Sequence, residues 1–269
     1  MLQVCLNGSR SRSEHPALPT TPAELAVAAR AAVAAGAEDI HLHPKDDAGA
    51  DTMAAPQVAA AVSAVRAAVP GIPVGVTTGA WTGPDRAARV REWGVLPDHA
   101  SVNWHEDGAA DLAEALLARG VAVEAGLFSG TGAGGAGVFA GVDVVERFFA
   151  WPGAHRVTRV LAEITDTDPD TAVSTAAALL DRLAAHAERP HAARAGGPKV
   201  ARAGRPNTAR AARPILLHGE DGSAWPVLAL AGARGLAARI GLEDTLHLPG
   251  GSPAPDNAAL VRAARRLLR

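Results

Sequence analysis

The chain is 269 residues long, with a formal net charge of −2, one cysteine and no tyrosine. That length holds a full hydrophobic core in one (β/α)8 barrel or in two smaller domains, and the small net charge offers no global attraction to nucleic acid or an anionic membrane. A lone cysteine, Cys5, no run near the roughly 18–20 apolar residues of a membrane span, and no basic-then-apolar leader predict a soluble cytoplasmic protein without a disulfide framework.

In chain order, Gln3-Val4-Cys5-Leu6-Asn7 reads as a short apolar strand, followed by a polar loop from Gly8 to Pro19. Thr20-Thr21-Pro22-Ala23-Glu24 carries capping residues, a proline for the first turn and an early acid, so a helix is predicted from there to Gly36. A strand from Asp39 to His43, a helix from Pro56 to Val69 and a strand from Ile72 to Thr77 repeat the unit. The alternation continues with a helix over Pro84 to Trp93, a strand over His99 to Asn103, a helix over Gly108 to Arg119 and a strand over Val121 to Phe128, before a glycine-rich loop from Gly130 to Gly137. Helix from Val142 to Ala150, strand from Arg156 to Ile164, a long helix from Asp168 to Glu188, strand from Ile215 to His218, helix from Ala224 to Arg234, strand from Ala237 to Leu242 and helix from Pro255 to Leu268 complete the pattern. Strands alternating with helices predict a parallel sheet, and eight such units predict closure into one α/β domain over residues 1–269, a (β/α)8 TIM barrel; a doubly wound open sheet is the alternative.

The pattern is interrupted between the sixth helix and the seventh strand. His186 to Arg213 is rich in Ala, Arg, Gly and Pro, and carries seven Lys/Arg against one acid, Glu188. It reads as a solvated insertion; the competing reading is a basic arm for nucleic acid or another polyanion. A helix-to-strand loop lies on the bottom of a barrel, away from the chemistry.

Catalytic groups of such barrels sit at the C-terminal ends of strands. Strand two ends in His41 and His43, which alternation points to the same face. Neutral imidazoles are common zinc ligands, and a catalytic zinc site has three protein ligands and an open position. Strand three ends in Thr77, strand four in Ser101 and Asn103, strand five carries Glu124, strand six Glu163, strand seven His218 with Glu220 beyond, and strand eight reads Arg239-Ile240-Gly241-Leu242-Glu243-Asp244. Glu163, Asn103 and His218 read as structural polar groups. In a closed barrel strand eight lies beside strand one and strand one beside strand two, so Glu243 is the natural third ligand. Asp244, the next residue, is expected to face differently and to be free to move a proton, with Arg239 as a fixed positive charge. The alternative for Glu243-Asp244 is an acidic cap on the following helix.

These pieces together resemble the β-keto acid cleavage enzyme family, that of the 3-keto-5-aminohexanoate cleavage enzyme of lysine fermentation. The resemblance runs over nearly the whole chain: Leu6-Asn7-Gly8-Ser9, Pro16-Ala17-Leu18-Pro19, Thr21-Pro22-Ala23-Glu24, His41-Leu42-His43-Pro44-Lys45-Asp46, Thr77-Thr78-Gly79, Ala100-Ser101-Val102-Asn103, Val123-Glu124 and Arg239-Ile240-Gly241-Leu242-Glu243-Asp244. It implies a divalent metal, usually Zn2+, held by His41, His43 and Glu243, with Asp244 as general base and Arg239 as its electrostatic partner. Thr77, Ser101, Glu124 and Arg10 would contact substrate. It further implies acetyl-CoA as co-substrate for a β-keto acid, with products acetoacetate and a new acyl-CoA, and a homo-oligomer, dimer or tetramer, with no nucleic-acid or membrane partner. Two departures stand out: the family's T-G-A turn is Asn7-Gly8-Ser9, and Arg10 replaces the acid that follows it in the amine-recognising member, so the far end of the substrate is expected not to be an ammonium. Competing readings are an aldolase, decarboxylase or hydrolase that needs no CoA, and a non-catalytic polyanion-binding barrel.

Overall fold

The structure, a computed structural model, describes residues 1–130, 138–139, 142–188 and 213–268. The strands of the barrel are β1 (Leu2–Cys5), β2 (Asp39–Leu42), β3 (Val74–Val76), β4 (His99–Asn103), β5 (Ala122–Phe128), β6 (Arg159–Ile164), β7 (Ile215–Gly219) and β8 (Ala237–Ile240). Each is followed by its helix: α1 (Pro22–Ala34), α2 (Ala55–Ala68), α3 (Arg86–Glu92), α4 (Ala109–Ala118), α5 (Val144–Ala150), α6 (Pro169–Glu188), α7 (Ala224–Ala233) and α8 (Asn257–Leu267). All strand pairs in the ring are parallel and β8 pairs with β1, closing the barrel. The expected (β/α)8 barrel is what forms, and the open sheet is excluded by that closing pair. A short antiparallel pair, Val138–Phe139 with Val142–Asp143, stands outside it. Residues 131–137 of the glycine-rich stretch and 189–212 of the basic stretch lie outside the described residues. Among the described residues no helix is long and apolar enough to cross a membrane.

Local chemistry accounts for the elements. Thr21 caps α1, accepting from the Glu24 amide while the Glu24 side chain returns to the Thr21 amide, with Pro22 in the first turn. Asp143 and Asp256 cap α5 and α8 by accepting from the Glu146 and Ala259 amides, without the reciprocal bond. The strands are apolar on their outer faces, where Val4, Ile40, Val76, Val102, Val123 and Ala162 are buried under the helices.

The inner faces are not apolar. Gln3, Asp39, His99, Glu124 and Arg159, all buried, fill the lower part of the barrel. Arg159 binds both Glu124 and Asp39, the latter at 2.8 Å; His99 lies 3.0 Å from Asp39 and 3.1 Å from Glu124; and the Gln3 amide donates to Asp39 at 2.9 Å. Gly75 on β3 makes room for this, because a Cβ there would stand 2.0 Å from the His99 ring. Glu124, which the family resemblance implies as a substrate contact on strand five, is the third residue of a seven-residue strand, with its carboxylate committed to Arg159, His99 and Gln3.

Burial alone would push the His99 imidazole toward its neutral form, but the Glu124 and Asp39 carboxylates overcome this and lift its pKa to about 10. A folded-state value above the ordinary 6.5 means that the stabilisation is complete below about pH 6.5 and is lost as pH climbs toward about 10. Thermal melts should therefore show the wild type falling across that window. His99→Gln, which leaves two buried carboxylates with Arg159 as their one cation beside the neutral Gln3 amide, is expected to lose about 3–5 kcal/mol at pH 6, measured by urea unfolding.

Candidate active site

The upper end of the barrel is organised by β1, which pairs with β2 on one side (Cys5 opposite His41) and β8 on the other (Gln3 opposite Arg239). The chain after β8 approaches β1 so closely that a Cβ on Gly241 would lie 1.9 Å from the Cys5 carbonyl oxygen; only glycine fits. Residues 241–244 then turn, with the Asp244 and Thr245 amides both donating to the Gly241 carbonyl, and Asn257 pins this turn to β1 through Leu242 and Leu6. The strand had been expected to continue to Leu242; it ends at Ile240. Alternation therefore does not govern Glu243 and Asp244. Rather than facing differently, both carboxylates turn to one guanidinium: Arg239 donates through Nε to Asp244 Oδ1 at 2.9 Å and through Nη2 to Glu243 Oε1 at 2.5 Å.

His41, His43 and Glu243 converge, and one donor atom from each lies within 4.8 Å of the others. The Glu243 carboxylate is 3.9 Å from His41 Nε2 and 3.5 Å from His43 Nε2. Its backbone neighbour is Gly8, in the left-handed conformation at φ +59°, where a Cβ would sit 2.4 Å from Glu243 Cγ. The reading of Glu243 as a mere helix cap is not what its side chain does. Asn7 fixes the second histidine by donating to the His43 carbonyl and accepting from its amide at 2.8 Å.

The donor set suits a divalent cation. Two imidazoles and a carboxylate form a catalytic rather than a structural zinc set, and both His41 Nδ1 and Glu243 Oε2 are buried without a hydrogen-bond partner. Burial holds His41 down at about 3, keeping the ring neutral as a ligand requires. His43 is lifted to about 9: burial opposes its charge, but Glu243 and Asp51 flank it and prevail. For Glu243, burial raises the carboxyl, yet Arg239 and the two histidines hold it well below the usual carboxylate range.

Asp244 is fully buried, with Oδ2 unbonded. Beside it lies His218, read from the sequence as structural, 3.4 Å from Asp244 Oδ1 and 3.4 Å from Glu163 Oε2. Neither contact is aligned as a hydrogen bond. Burial and Arg239 act against charge on His218, but Asp244 and Glu163 outweigh them and lift it to about 9. Burial also lifts the nearby Glu220 to about 7. No spacing in the chain connects residues 163, 218 and 244; strand order alone unites them.

Thr77, just past the end of β3, and Ser101, the third of the five residues of β4, are buried. Thr77 Oγ1 accepts from the Gly79 amide at 3.3 Å, while the Ser101 carbonyl accepts from Thr78 Oγ1 and its own hydroxyl has no hydrogen bond among the described residues. Arg10 lies at the rim, donating to the Glu243 carbonyl at 3.1 Å and pairing with Asp221 at 2.5 Å and Glu14 at 3.4 Å.

This arrangement agrees with a match to the sequence model of the beta-keto acid cleavage enzyme family, which covers residues 1–130 and 206–269. The chain belongs to that family. The members of this family act on β-keto acids, and the resemblance read from the motifs holds. Among solved structures, the complex of ObcA with oxaloacetate is 17% identical at a TM-score of 0.66, covering 93% of this chain and 63% of ObcA. The ternary complex of ObcA with a C4-CoA adduct and oxalate is 17% identical at 0.68, covering 94% and 64%. The chain thus spans under two-thirds of the length of ObcA. The (S)-3-O-geranylgeranylglyceryl phosphate synthase of Thermoplasma acidophilum is 11% identical at 0.50, covering 100% of this chain and 92% of that one. At these identities the likeness is one of fold.

Two outcomes test whether His41, His43 and Glu243 hold a metal. Equilibrium dialysis against Zn2+ should find one ion per chain in the wild type and none retained by His41→Ala or Glu243→Ala. Gly8→Ala, which drives a methyl group into the Glu243 side chain, should weaken Zn2+ about tenfold or more in a chelator competition, the order expected when the support of a ligand is disturbed.

Proposed function

We propose that this chain is a metal-dependent acyltransferase that condenses a β-keto acid with acetyl-CoA and cleaves the product to acetoacetate and a new acyl-CoA. One observation carries the reading: Arg239 holds a ligand carboxylate, Glu243, and a second carboxylate with a free oxygen, Asp244, side by side at the mouth of the barrel. Family membership supports the keto acid as substrate. The oxaloacetate and the C4-CoA adduct seen with ObcA support keto-acid and CoA chemistry on this fold.

A Zn2+ or similar ion held by His41, His43 and Glu243 would supply Lewis acidity beside the ketone. Asp244 Oδ1 is occupied by Arg239, so Oδ2 is the atom that takes the proton from C2 of the keto acid. The C2 carbanion attacks the thioester carbon and the CoA thiolate departs. The thiolate then adds to the original ketone carbon, the C2–C3 bond breaks to give the new acyl-CoA, and C2 recovers its proton from Asp244 to give acetoacetate. Arg239 and the buried His218 supply positive charge while Asp244 alternates between its two forms. Thr77 and Ser101 offer hydroxyls to the substrate, and Arg10 at the rim disfavours an ammonium at its far end.

The test is a panel of β-keto acids incubated with and without acetyl-CoA and scored for acetoacetate. Formation only with acetyl-CoA is expected; turnover without it would instead indicate an aldolase or decarboxylase. Asp244→Asn should lower kcat by about 10²–10⁴, and aminated keto acids should be poor substrates.

A further inference from the structure

The residues after the second histidine make a tight excursion and return. Asp46 Oδ1 accepts from the amides of Ala48 and Ala50, Gly49 takes φ +84°, and Lys45 pairs with Asp51 in an antiparallel bridge. This brings Asp51, eight residues after His43 in the chain, back against that ring. Asp51 Oδ2 lies 2.7 Å from His43 Nδ1. The same carboxylate accepts from Lys45 Nζ at 2.5 Å and from Trp81 Nε1 at 2.7 Å, two groups that only donate. With the carboxylate acting as acceptor throughout, His43 Nδ1 carries a hydrogen, and the Nε2 that faces Glu243 at 3.5 Å is the nitrogen left for a cation once its own proton is released. Trp81 is held by more than this bond. Its ring stacks on His43 at 6.1 Å and 23°, and covers Gly79, where a Cβ would meet the indole at 2.2 Å.

We infer that Asp51 is a positioning residue: it sets the tautomer and orientation of His43 for the cation and fastens the β3–α3 loop, through Trp81, onto that same ligand. The inference rests on the reading of His41, His43 and Glu243 as a metal site. It adds a carboxylate that the H-x-H motif does not contain, and it assigns Trp81, half exposed on the loop that follows Thr77, to the wall of the mouth. Carboxylates behind ligating histidines raise metal affinity about 10–100-fold through orientation and basicity.

The experiment is a competition titration of Zn2+ against a chromophoric chelator on the wild type, Asp51→Asn, Asp51→Glu and Glu243→Ala, with melts of the metal-free proteins alongside. Asp51→Asn is expected to bind Zn2+ about 10–100-fold more weakly at a temperature where both metal-free proteins are folded, with a lowered metal-free melt from the lost Lys45–Asp51 pair, and Asp51→Glu to recover most of the binding. Nitrogen-15 NMR of the Zn2+-loaded wild type, which depends on no variant folding, should show His43 protonated at Nδ1. Wild-type affinity in Asp51→Asn together with lost binding in Glu243→Ala overturns the inference and leaves the metal site standing, as does a His43 ring protonated at Nε2. Undiminished binding in Glu243→Ala overturns the metal reading itself.

Discussion

The Arg239 guanidinium is the constraint on which the site depends. Two successive carboxylates, the partly buried Glu243 and the fully buried Asp244, stand at the mouth of the barrel, and neighbouring anions withdrawn from water repel unless a cation is fixed between them. The rigid fork of arginine answers both at once, through nitrogens with defined directions. A lysine ammonium has no such fork. Because Arg239 stands on a strand, the directions of both acids are set by the barrel wall and not by the turn that carries them.

Glycine makes that arrangement reachable. Gly241 lets the turn after β8 press against the backbone of β1, and Gly8 leaves the space that the Glu243 side chain crosses on its way to the histidines. Both glycines are spent on close approach, one to a carbonyl and one to a ligand. The polar interior below serves the same end. Asp39 lies two residues before His41 on β2, and its pairing with Arg159, His99 and Gln3 anchors the lower half of the strand that presents the ligand. A polar layer of that kind is tolerated because every charge in it has an opposite neighbour.

The cleavage chemistry asks for electrophilic activation and proton transfer within one small volume. In the proposed reading the two tasks fall to adjacent residues, Glu243 and Asp244, both held by Arg239. His218 and Glu163 extend the polar set away from His41, His43 and Glu243, toward β6 and β7, while Asp51 and Trp81 extend it toward β3. The site is thus continuous around more than half of the barrel mouth, which is why a single substitution at its edge is expected to be felt at the ligands.

Much of this was legible in the chain. Strand–helix alternation and its eight repeats are local, so periodicity and capping residues reveal them, and strand order in a closed ring follows from the count. His41 and His43 share a face because strand geometry requires it, and Glu243 reaches them because β1 lies between β2 and β8. The departures come where local rules stop. Glu243 and Asp244 lie past the strand in a turn, so alternation says nothing of their directions. Glu124, read from the sequence as a substrate contact on strand five, is instead claimed by Arg159, His99 and Gln3, which three other strands bring to it. Asp51 and His218 join the site through a turn and through strand packing, and no motif spacing encodes either. The sequence alone determined which elements form and which side of each faces inward, because propensity and period act over a few residues. Only the tertiary structure decided which charges meet, because a buried ion pair is chosen by distances between strands that the chain visits far apart.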